Sequence, residues 1–228
     1  MMADPVLVVE RLSKRFSSGG QPVTVLTDLS FNLAKGESLA VVGRSGSGKS
    51  TLLNLLCGLQ VPDKGNITVT GESFSESVNS DSDARWTELR RRSIGVVFQQ
   101  ANLMPALSLE DNVRLRSHLA GHAAGHERGW LERLGIGAEA DRYPDQVSGG
   151  QAQRAALAMV FAMAPAVILA DEPTGSLDRN TADEVADCLF AMQRDSGCAL
   201  VLATHDRELA SRCDHLLDLS ALHLGGTD

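Results

Sequence analysis

The stretch Gly43-Arg44-Ser45-Gly46-Ser47-Gly48-Lys49-Ser50-Thr51 decides how this chain is read. The apolar run Leu39-Ala40-Val41-Val42 precedes it, and Leu52-Leu53-Asn54-Leu55-Leu56 follows at helical spacing. Strand, glycine-rich turn and helix, in that order, form the setting that a phosphate loop of the GxxxxGK(S/T) type requires. Gly43, Gly46 and Gly48 let the backbone curl so that successive N–H groups, through Arg44, Ser45 and Ser47, face phosphate oxygens. The helix start adds its partial positive charge. Lys49 then reaches the β- and γ-phosphates, Ser50 offers its hydroxyl to Mg²⁺, and Thr51 sits near the α-phosphate.

Outward from this loop, composition sets the bounds. The chain has 228 residues, 43% of them hydrophobic, enough to bury a core as one domain with a sub-domain or as two small domains. Its formal net charge of −8 opposes attraction to nucleic-acid backbones and to anionic lipid heads. The basic cluster Arg90-Arg91-Arg92 reads as a solvated helix end. Cys57, Cys188, Cys198 and Cys213 form no C-x-x-C pair and are expected to be buried thiols of a reducing compartment, so no metal site follows from them. The first residues show no basic start ahead of an apolar core, which argues against a secretory signal. The longest apolar stretch, Ala155 to Ala170, is shorter than the ~20 residues of a membrane span. Pro165 breaks it, and Arg154 and Asp171 fence it. It reads as a helix followed by a buried strand.

The order of elements follows from periodicity. Val6 to Leu12 and Leu29 to Leu33 have strand spacing, with Ser17-Ser18-Gly19-Gly20-Gln21-Pro22 as a flexible turn between them. Asp63-Lys64-Gly65 starts a short hairpin around Ile67 and Val69, and the serine-rich, acidic stretch Glu72 to Asp83 is expected to be an exposed loop. Ile94 to Phe98 is a buried strand that delivers Gln99. Asn102 to Val147 carries a Ser108-x-x-Asp111 helix start and two helical runs, a candidate sub-domain. Helix and strand then alternate: Ser148 to Met163, Val167 to Ala170, Thr181 to Asp195, Ala199 to Ala203, a further helix, and a last strand at Leu216 to Leu219. Such alternation predicts a mainly parallel sheet covered on both faces. The run from Leu115 carries His118, His122 and His126 at the spacing of one helix face. Gly121 and Gly125 interrupt it and no fourth ligand is near, which favours a solvated face over zinc.

Further constellations join the phosphate loop. Ser148, Gly149, Gly150 and Gln151 open a long helix, with Ser148 as its N-cap, so its N–H groups can face a second phosphate. Two phosphate-binding helix starts far apart in sequence suggest that two chains share each nucleotide. Val167-Ile168-Leu169-Ala170 ends in Asp171 and Glu172, and ligands bind at strand ends in open α/β sheets. Asp171 can hold Mg²⁺ through water, while Glu172 can orient or deprotonate an attacking water. Pro173-Thr174-Gly175 turns the chain into Ser176-Leu177-Asp178. Val201 to Thr204 ends at His205, which can donate a hydrogen bond to a γ-phosphate.

Together, GRSGSGKST, Gln99, VSGGQ, LADEPTGSLD and THD resemble the nucleotide-binding subunit of an ABC transporter, in the family's order and over nearly the whole chain. The resemblance implies an α/β fold: a P-loop NTPase core with a mainly parallel sheet, a small N-terminal antiparallel β subdomain and an inserted α-helical subdomain. It places the core and β subdomain at residues 1–98 and 160–228 and the helical subdomain with the signature at 99–159. It implies ATP and Mg²⁺ as cofactors and a homodimer that sandwiches two ATP molecules. Carried over by position, Lys49, Ser50 and Thr51 bind phosphates and Mg²⁺, and Gln99 is the Q-loop residue and a further Mg²⁺ ligand. Ser148 and Gly150, within the signature run Ser148 to Gln151, contact the partner's ATP. Glu172 is the catalytic base, Asp178 the D-loop residue, His205 the switch histidine, and Phe16 falls where the family stacks adenine on an aromatic. Integral membrane transporter subunits are the implied partners, nucleic acid is not, and the implied location is the inner face of the cell membrane, peripheral and cytoplasmic.

LRRRSIGVVFQ, NLMPALSLEDNV, RYPDQVSGG and THDRELASRCD look most like the lipoprotein-releasing (LolD-type) and macrolide-export (MacB-type) group, with the cell-division FtsE type as a relative. Val147 stands where the signature usually opens with leucine, and Met159-Val160 where Arg-Ala is usual. Two other readings stand beside the transporter. One is a mechanical regulator of a membrane partner; the other is a DNA-repair type ATPase, which usually inserts a long coiled coil between phosphate loop and signature. In the short loop after Gln99, Leu103, Met104, Pro105 and Leu107 present the apolar surface expected of a docking site.

Overall fold

The computed structural model describes residues 5–18, 21–70, 75–78 and 83–222. In chain order the strands and helices are β1 (Pro5–Ser18), β2 (Gln21–Ala34), β3 (Ser38–Val42), α1 (Lys49–Leu56), β4 (Lys64–Thr70), β5 (Ser75–Val78), α2 (Asp83–Arg92) and β6 (Ile94–Val97). There follow α3 (Leu109–Ala120), α4 (Glu127–Arg133), α5 (Gly149–Ala162), β7 (Val167–Asp171), α6 (Arg179–Ser196), β8 (Ala199–Ala203), α7 (Arg207–Ala210), β9 (His215–Asp218) and α8 (Leu219–Leu222). The strands form an antiparallel sheet of order β2-β1-β4-β5 and a five-stranded sheet of order β6-β7-β8-β3-β9, whose neighbours all pair in parallel.

The central strands read as unbroken apolar runs because both faces are covered. Val167 and Leu169 of β7 join Val201 of β8 in one core, with Leu52 and Leu55 of α1 and Leu7 and Leu33 of the antiparallel sheet. Ile168 and Ala170 point the other way, with Leu200 and Leu202, against Leu157 and Phe161 of α5 and Val185 and Leu189 of α6. Leu109 and Val113 of α3, Leu131 of α4 and Leu134 just after it belong to this second core, so the helical stretch is packed onto the sheet's outer layer. Each such side chain, fully buried, is worth about 1.5–3 kcal/mol over exposure.

Two arginines stitch the helices end to end. Arg90 donates from Nη1 to the carbonyls of Cys57 (2.9 Å) and Gly58 (3.1 Å), at the C-terminal end of α1. Arg116 of α3 donates to the carbonyls of Arg91 (3.1 Å) and Arg90 (2.6 Å), at the end of α2. Cations there satisfy orphan carbonyls and oppose the negative end of the helix. Burial lowers the Arg116 guanidinium's pKa. The basic cluster is therefore only partly a solvated face: Arg91 and Arg92 pair with Glu88, but Arg90 is structural.

Several expectations need correction. The hairpin strands are longer than their apolar cores, because Ser17 pairs with Pro22 and Ser18 with Gln21; Gly19 and Gly20 lie outside the described residues. Ser75–Val78 is a strand, not a loop, held by main-chain pairing of Ser75 with Thr70 and Val78 with Ile67. Asp83 begins α2; residues 72–74 and 79–82 lie outside the described residues. Leu219 is buried at the start of α8 rather than ending a strand. As the interrupting glycines predicted, the three histidines do not share a helix face: α3 stops at Gly121 with φ 92°, His126 precedes α4, and His122 Nε2 meets the Met163 carbonyl at 3.1 Å. Among the described residues no group of three or more His, Cys, Asp or Glu is placed to hold a metal ion, and no helix is long and apolar enough to cross a membrane.

Candidate functional site

The parallel sheet brings four separate stretches to one edge. Register pairs Val97 with Ala170, Asp171 with Ala203, and Ala203 with Val41, so the strands end level. Beyond those ends lie, side by side, Gln99 after β6, Glu172 after β7, Thr204 and His205 after β8, and the phosphate loop after β3. Asp171 is the last residue of β7 and half-buried. In the sequence these residues are scattered over more than half the chain.

The phosphate loop is held from below and from the side. Gly48 caps α1 at φ 96° with no side-chain cap, and a Cβ there would stand 2.6 Å from Cγ1 of Val25 on β2. Only glycine suits both demands. The Lys49 ammonium donates to the carbonyls of Gly43 (3.0 Å) and Arg44 (3.5 Å), bending over its own loop. The Arg44 amide donates to Ser220 Oγ (3.3 Å) in α8, a support the sequence motif does not contain. Arg44, Ser45, Gly46 and Ser50 are exposed, while Ser47 is buried and its Oγ has no partner among the described residues. A buried hydroxyl left unpaired costs about 1–3 kcal/mol, which an anionic oxygen could recover.

Glu172 is the strained residue of the edge. Its φ is 47°, a left-handed conformation that costs a non-glycine residue about 1–3 kcal/mol and tends to be kept where function needs it. Its amide donates to the Ala203 carbonyl (2.9 Å), and its own carbonyl accepts from the Gly175 amide (3.0 Å). Both carboxylate oxygens are engaged: Thr204 Oγ1 donates to Oε2 (3.3 Å), and His205 Nδ1 lies 2.9 Å from Oε1. Glu172 is 18% exposed and His205 73%, so the carboxylate is sheltered while the imidazole reaches out. Thr204, fully buried, also accepts from the Asp206 amide (3.0 Å) and is tied to Val41 of β3 by its own amide (3.1 Å). Sequence reading took it for a strand end; its hydroxyl is what holds the carboxylate.

Gln99 is exposed beside the Gly175 turn, where its Nε2 would lie 3.1 Å from a Cβ on residue 175. Ser176 Oγ donates to the Gln99 carbonyl (3.0 Å), and buried Gln153 of α5 donates to the Phe98 carbonyl (2.8 Å). Gln153 was missed; a glutamine on the inward face of an otherwise apolar helix was the available signal.

Ser148 caps α5 through a reciprocal pair: Gln151 N donates to Ser148 Oγ (3.2 Å) and Ser148 N to Gln151 Oε1 (2.9 Å). Gln151 Nε2 donates on to Glu139 (3.2 Å). Gly149 lies against Leu177, and a Cβ on Gly150 would meet Thr181 Cγ2 at 2.2 Å. The signature turn thus packs on the start of α6, where Asp178 accepts from the Thr181 amide (3.2 Å). Thr181's hydroxyl and amide hold the Asp178 carboxyl below its ordinary pKa. Phe16 pairs with Val23 on the outer hairpin and is 37% exposed, with the Lys14 ammonium 5.4 Å from its ring centre. In the loop after Gln99, Met104 is half exposed, whereas Leu103 packs on the second core. Buried Asn112, another missed residue, clasps that loop: it accepts from the Met104 amide (2.7 Å) and donates to the carbonyls of Met104 (3.2 Å), Leu107 (3.1 Å) and Ser108 (2.9 Å).

An uncapped, glycine-led helix start with a lysine beside it can take a polyphosphate. The sheltered carboxylate next to it can take a proton from water. Known proteins agree with that chemistry. The family described as ABC transporter matches residues 26–175. The chain is 42% identical over 223 residues to the uncharacterized ABC transporter ATP-binding protein YbbA of Escherichia coli (strain K12), covering 96% of each. It is 42% identical over 219 residues to the lipoprotein-releasing system ATP-binding protein LolD of Bordetella pertussis, covering 94% of this chain and 93% of that one. A solved ATP-binding cassette, a dimer in a post-hydrolysis state with ADP and Pi, matches with a TM-score of 0.80 at 32% identity over 93% of each chain. The cbiO1 protein of Clostridium perfringens, part of the ABC transporter complex cbiONQ, matches with a TM-score of 0.79 at 32% identity, over 94% of this chain and 84% of that one. Sequence order, fold and edge geometry converge: the chain belongs to the ABC transporter family, as one of its ATP-hydrolysing subunits.

Proposed function

We propose that two copies of this chain close on two ATP molecules and drive an integral membrane partner, in a system of the lipoprotein-release or macrolide-export kind. The observation that carries the catalytic part is Glu172, bent into the left-handed region and held at both carboxylate oxygens by Thr204 and His205. Support for the system comes from the 42% identity to LolD, and for the pairing from the dimeric cassette of the same fold.

In this reading the loop Gly43 to Thr51 binds the phosphates of ATP, with Lys49 on the β- and γ-phosphates and the buried Ser47 hydroxyl turned to an anionic oxygen. Phe16 stacks on the adenine. Ser50, Asp171 and Gln99 offer a hydroxyl, a carboxylate and an amide oxygen, hard donors that fit Mg²⁺ and leave room for its waters. Bound there, Mg²⁺ would neutralise charge on the phosphates. Glu172 accepts the proton of the attacking water, while His205, held through Nδ1, has Nε2 left for the γ-phosphate. Ser148 to Gln151 and Asp178 face the partner subunit's nucleotide. The helical unit 99–159 meets the membrane partner through the Met104 loop, which keeps the chain peripheral on the inner face of the membrane.

The test is to purify the chain with whatever integral membrane protein it carries, reconstitute both in vesicles loaded with a lipoprotein, and follow ATP-dependent release to a soluble acceptor. Release with wild type and none with Glu172→Gln supports the reading. ATP hydrolysis by the reconstituted complex without release of lipoprotein removes the lipoprotein assignment, and absence of any membrane partner removes the transporter role.

A further inference from the structure

Lys14 lies next to the exposed run Arg15-Phe16-Ser17, yet its own side chain is only 15% exposed. Its ammonium donates to the Val61 carbonyl (2.7 Å) and to Asp63 Oδ1 (3.4 Å), and it stands 5.4 Å from the centre of the Phe16 ring. Asp63 is itself a staple between two elements. Its Oδ2 accepts from the Arg15 amide (2.6 Å), and its amide donates to the Ser13 carbonyl (3.0 Å). Residues 61–63 belong to the connection between α1, which begins at Lys49, and β4. The strand segment Ser13–Phe16 is therefore pinned to the chain that leaves the phosphate-loop helix.

A second tie reaches the loop from the other side. Phe16 pairs with Val23, two residues before Val25, and Val25 is the residue against Gly48 of the phosphate loop. The aromatic ring and the phosphate loop are thus held at a set separation by β2 on one side and by Lys14 and Asp63 on the other. An exposed phenylalanine without a brace would lose ring freedom on stacking; a cation fixed beneath it restrains the ring before any ligand arrives.

We infer that Lys14, held by Val61 and Asp63, is a positioning residue that presets the Phe16 ring for a nucleobase and so sets affinity for the base without touching the phosphates. The inference rests on the stacking role of Phe16 proposed above. Lysine suits the position because its compact ammonium can meet a carbonyl, a carboxylate and a ring face together, and arginine retains the charge and can stack.

The experiment compares binding of ATP and of inorganic tripolyphosphate to the purified full chain by calorimetry, for wild type, Lys14→Met, Lys14→Arg, Phe16→Ala and the Lys14→Met/Phe16→Ala double variant. Tripolyphosphate reports the phosphate loop alone. Lys14→Met is expected to weaken ATP about threefold to tenfold with tripolyphosphate unchanged, Lys14→Arg to keep most of the affinity, and Lys14→Met to add nothing once Phe16 is gone. Equal weakening of ATP and tripolyphosphate by Lys14→Met, or no weakening of either, overturns the positioning role while Phe16→Ala still loses ATP selectively. If Phe16→Ala leaves the ratio of the two affinities unchanged, the stacking reading itself falls, and the inference with it.

Discussion

Two helices of this protein start at a glycine turn, and the two starts are finished differently. α1 begins at Gly48 with positive φ, has no side-chain cap, and keeps Ser47 Oγ buried and unpaired beside it. α5 begins at Ser148 with a complete capping box and passes its hydrogen bonding on to Glu139. The first start stores unmet polar demand inside one chain; the second has met its demand and offers an exposed, stable face. A phosphate can complete the first alone, whereas the second becomes a site only when another body brings a phosphate to it. That difference is what the proposed sharing of a nucleotide between two subunits rests on.

The largest expected effect tests the edge to which α1 belongs. Glu172→Gln removes the proposed proton acceptor with little change of shape, and general-base loss is worth about 10²–10⁴-fold, roughly 3–5 kcal/mol of barrier. Phosphate release should fall to that extent while ATP binding persists, and activity above half of wild type would remove Glu172 from its role. The comparison itself is tested next. With ATP, Glu172→Gln should sediment as a dimer, and adding Ser148→Arg should return it to monomer, because a bulky cation then stands on the exposed face of α5. A dimer that survives Ser148→Arg would mean that α5 is not part of the shared site.

Met104→Asp probes a third surface. ATP affinity of the isolated chain should stay within about twofold, while co-purification with the membrane partner is lost, since burying an unpaired carboxylate costs several kcal/mol. Retained co-purification from detergent extracts would put the docking surface elsewhere. Asn112→Ala sharpens this. It leaves the Met104 amide and the Leu107 carbonyl without their side-chain partner, while the Met104 and Ser108 carbonyls keep backbone donors, so a loss of about 1–3 kcal/mol in urea unfolding is expected, with unchanged phosphate-loop affinity. An unchanged midpoint would mean that the loop satisfies itself.

The smallest effect lies far from both starts. Ser38 donates through its amide and hydroxyl to Asp214 (2.8 and 2.7 Å), and its Oγ accepts from the Asp214 amide (3.0 Å), clasping β3 to the start of β9. Ser38→Ala should cost about 1 kcal/mol, or about 2–4 °C in Tm. These bonds hold the Asp214 carboxyl below its ordinary value of 3.8. Their pH-dependent contribution is therefore full above that value and fades as pH falls through the lower folded one. The gap between wild type and Ser38→Ala should narrow in acid, and a gap constant with pH would deny Asp214 its share.

Much of the site was legible because it is written in local patterns. Gly48 had to be glycine, Ser148 and Asp178 announced helix starts by their own side chains, and β7 and β8 read as buried strands from unbroken apolar runs. What escaped was set by contacts rather than by residue type. The residue types of Ser75 to Val78 do not distinguish a strand from a loop, because the ladder that makes it one is supplied by Thr70 and Ile67 of the adjacent strand β4. Arg90 looked like surface charge until the carbonyls of Cys57 and Gly58 were found beneath it.

By itself the sequence determined the phosphate loop, the order of strands and helices, and the carboxylate and histidine that follow two of the strands, since each depends on residue type within a few positions. Only the tertiary structure decided that Thr204 and His205 grip the same carboxylate, that Val25 and Ser220 buttress the phosphate loop, that Asn112 shapes the loop after Gln99, and that Val61 and Asp63 anchor Lys14. Those contacts join residues up to 176 positions apart. Their geometry comes from sheet register and burial, which no short stretch of chain encodes alone.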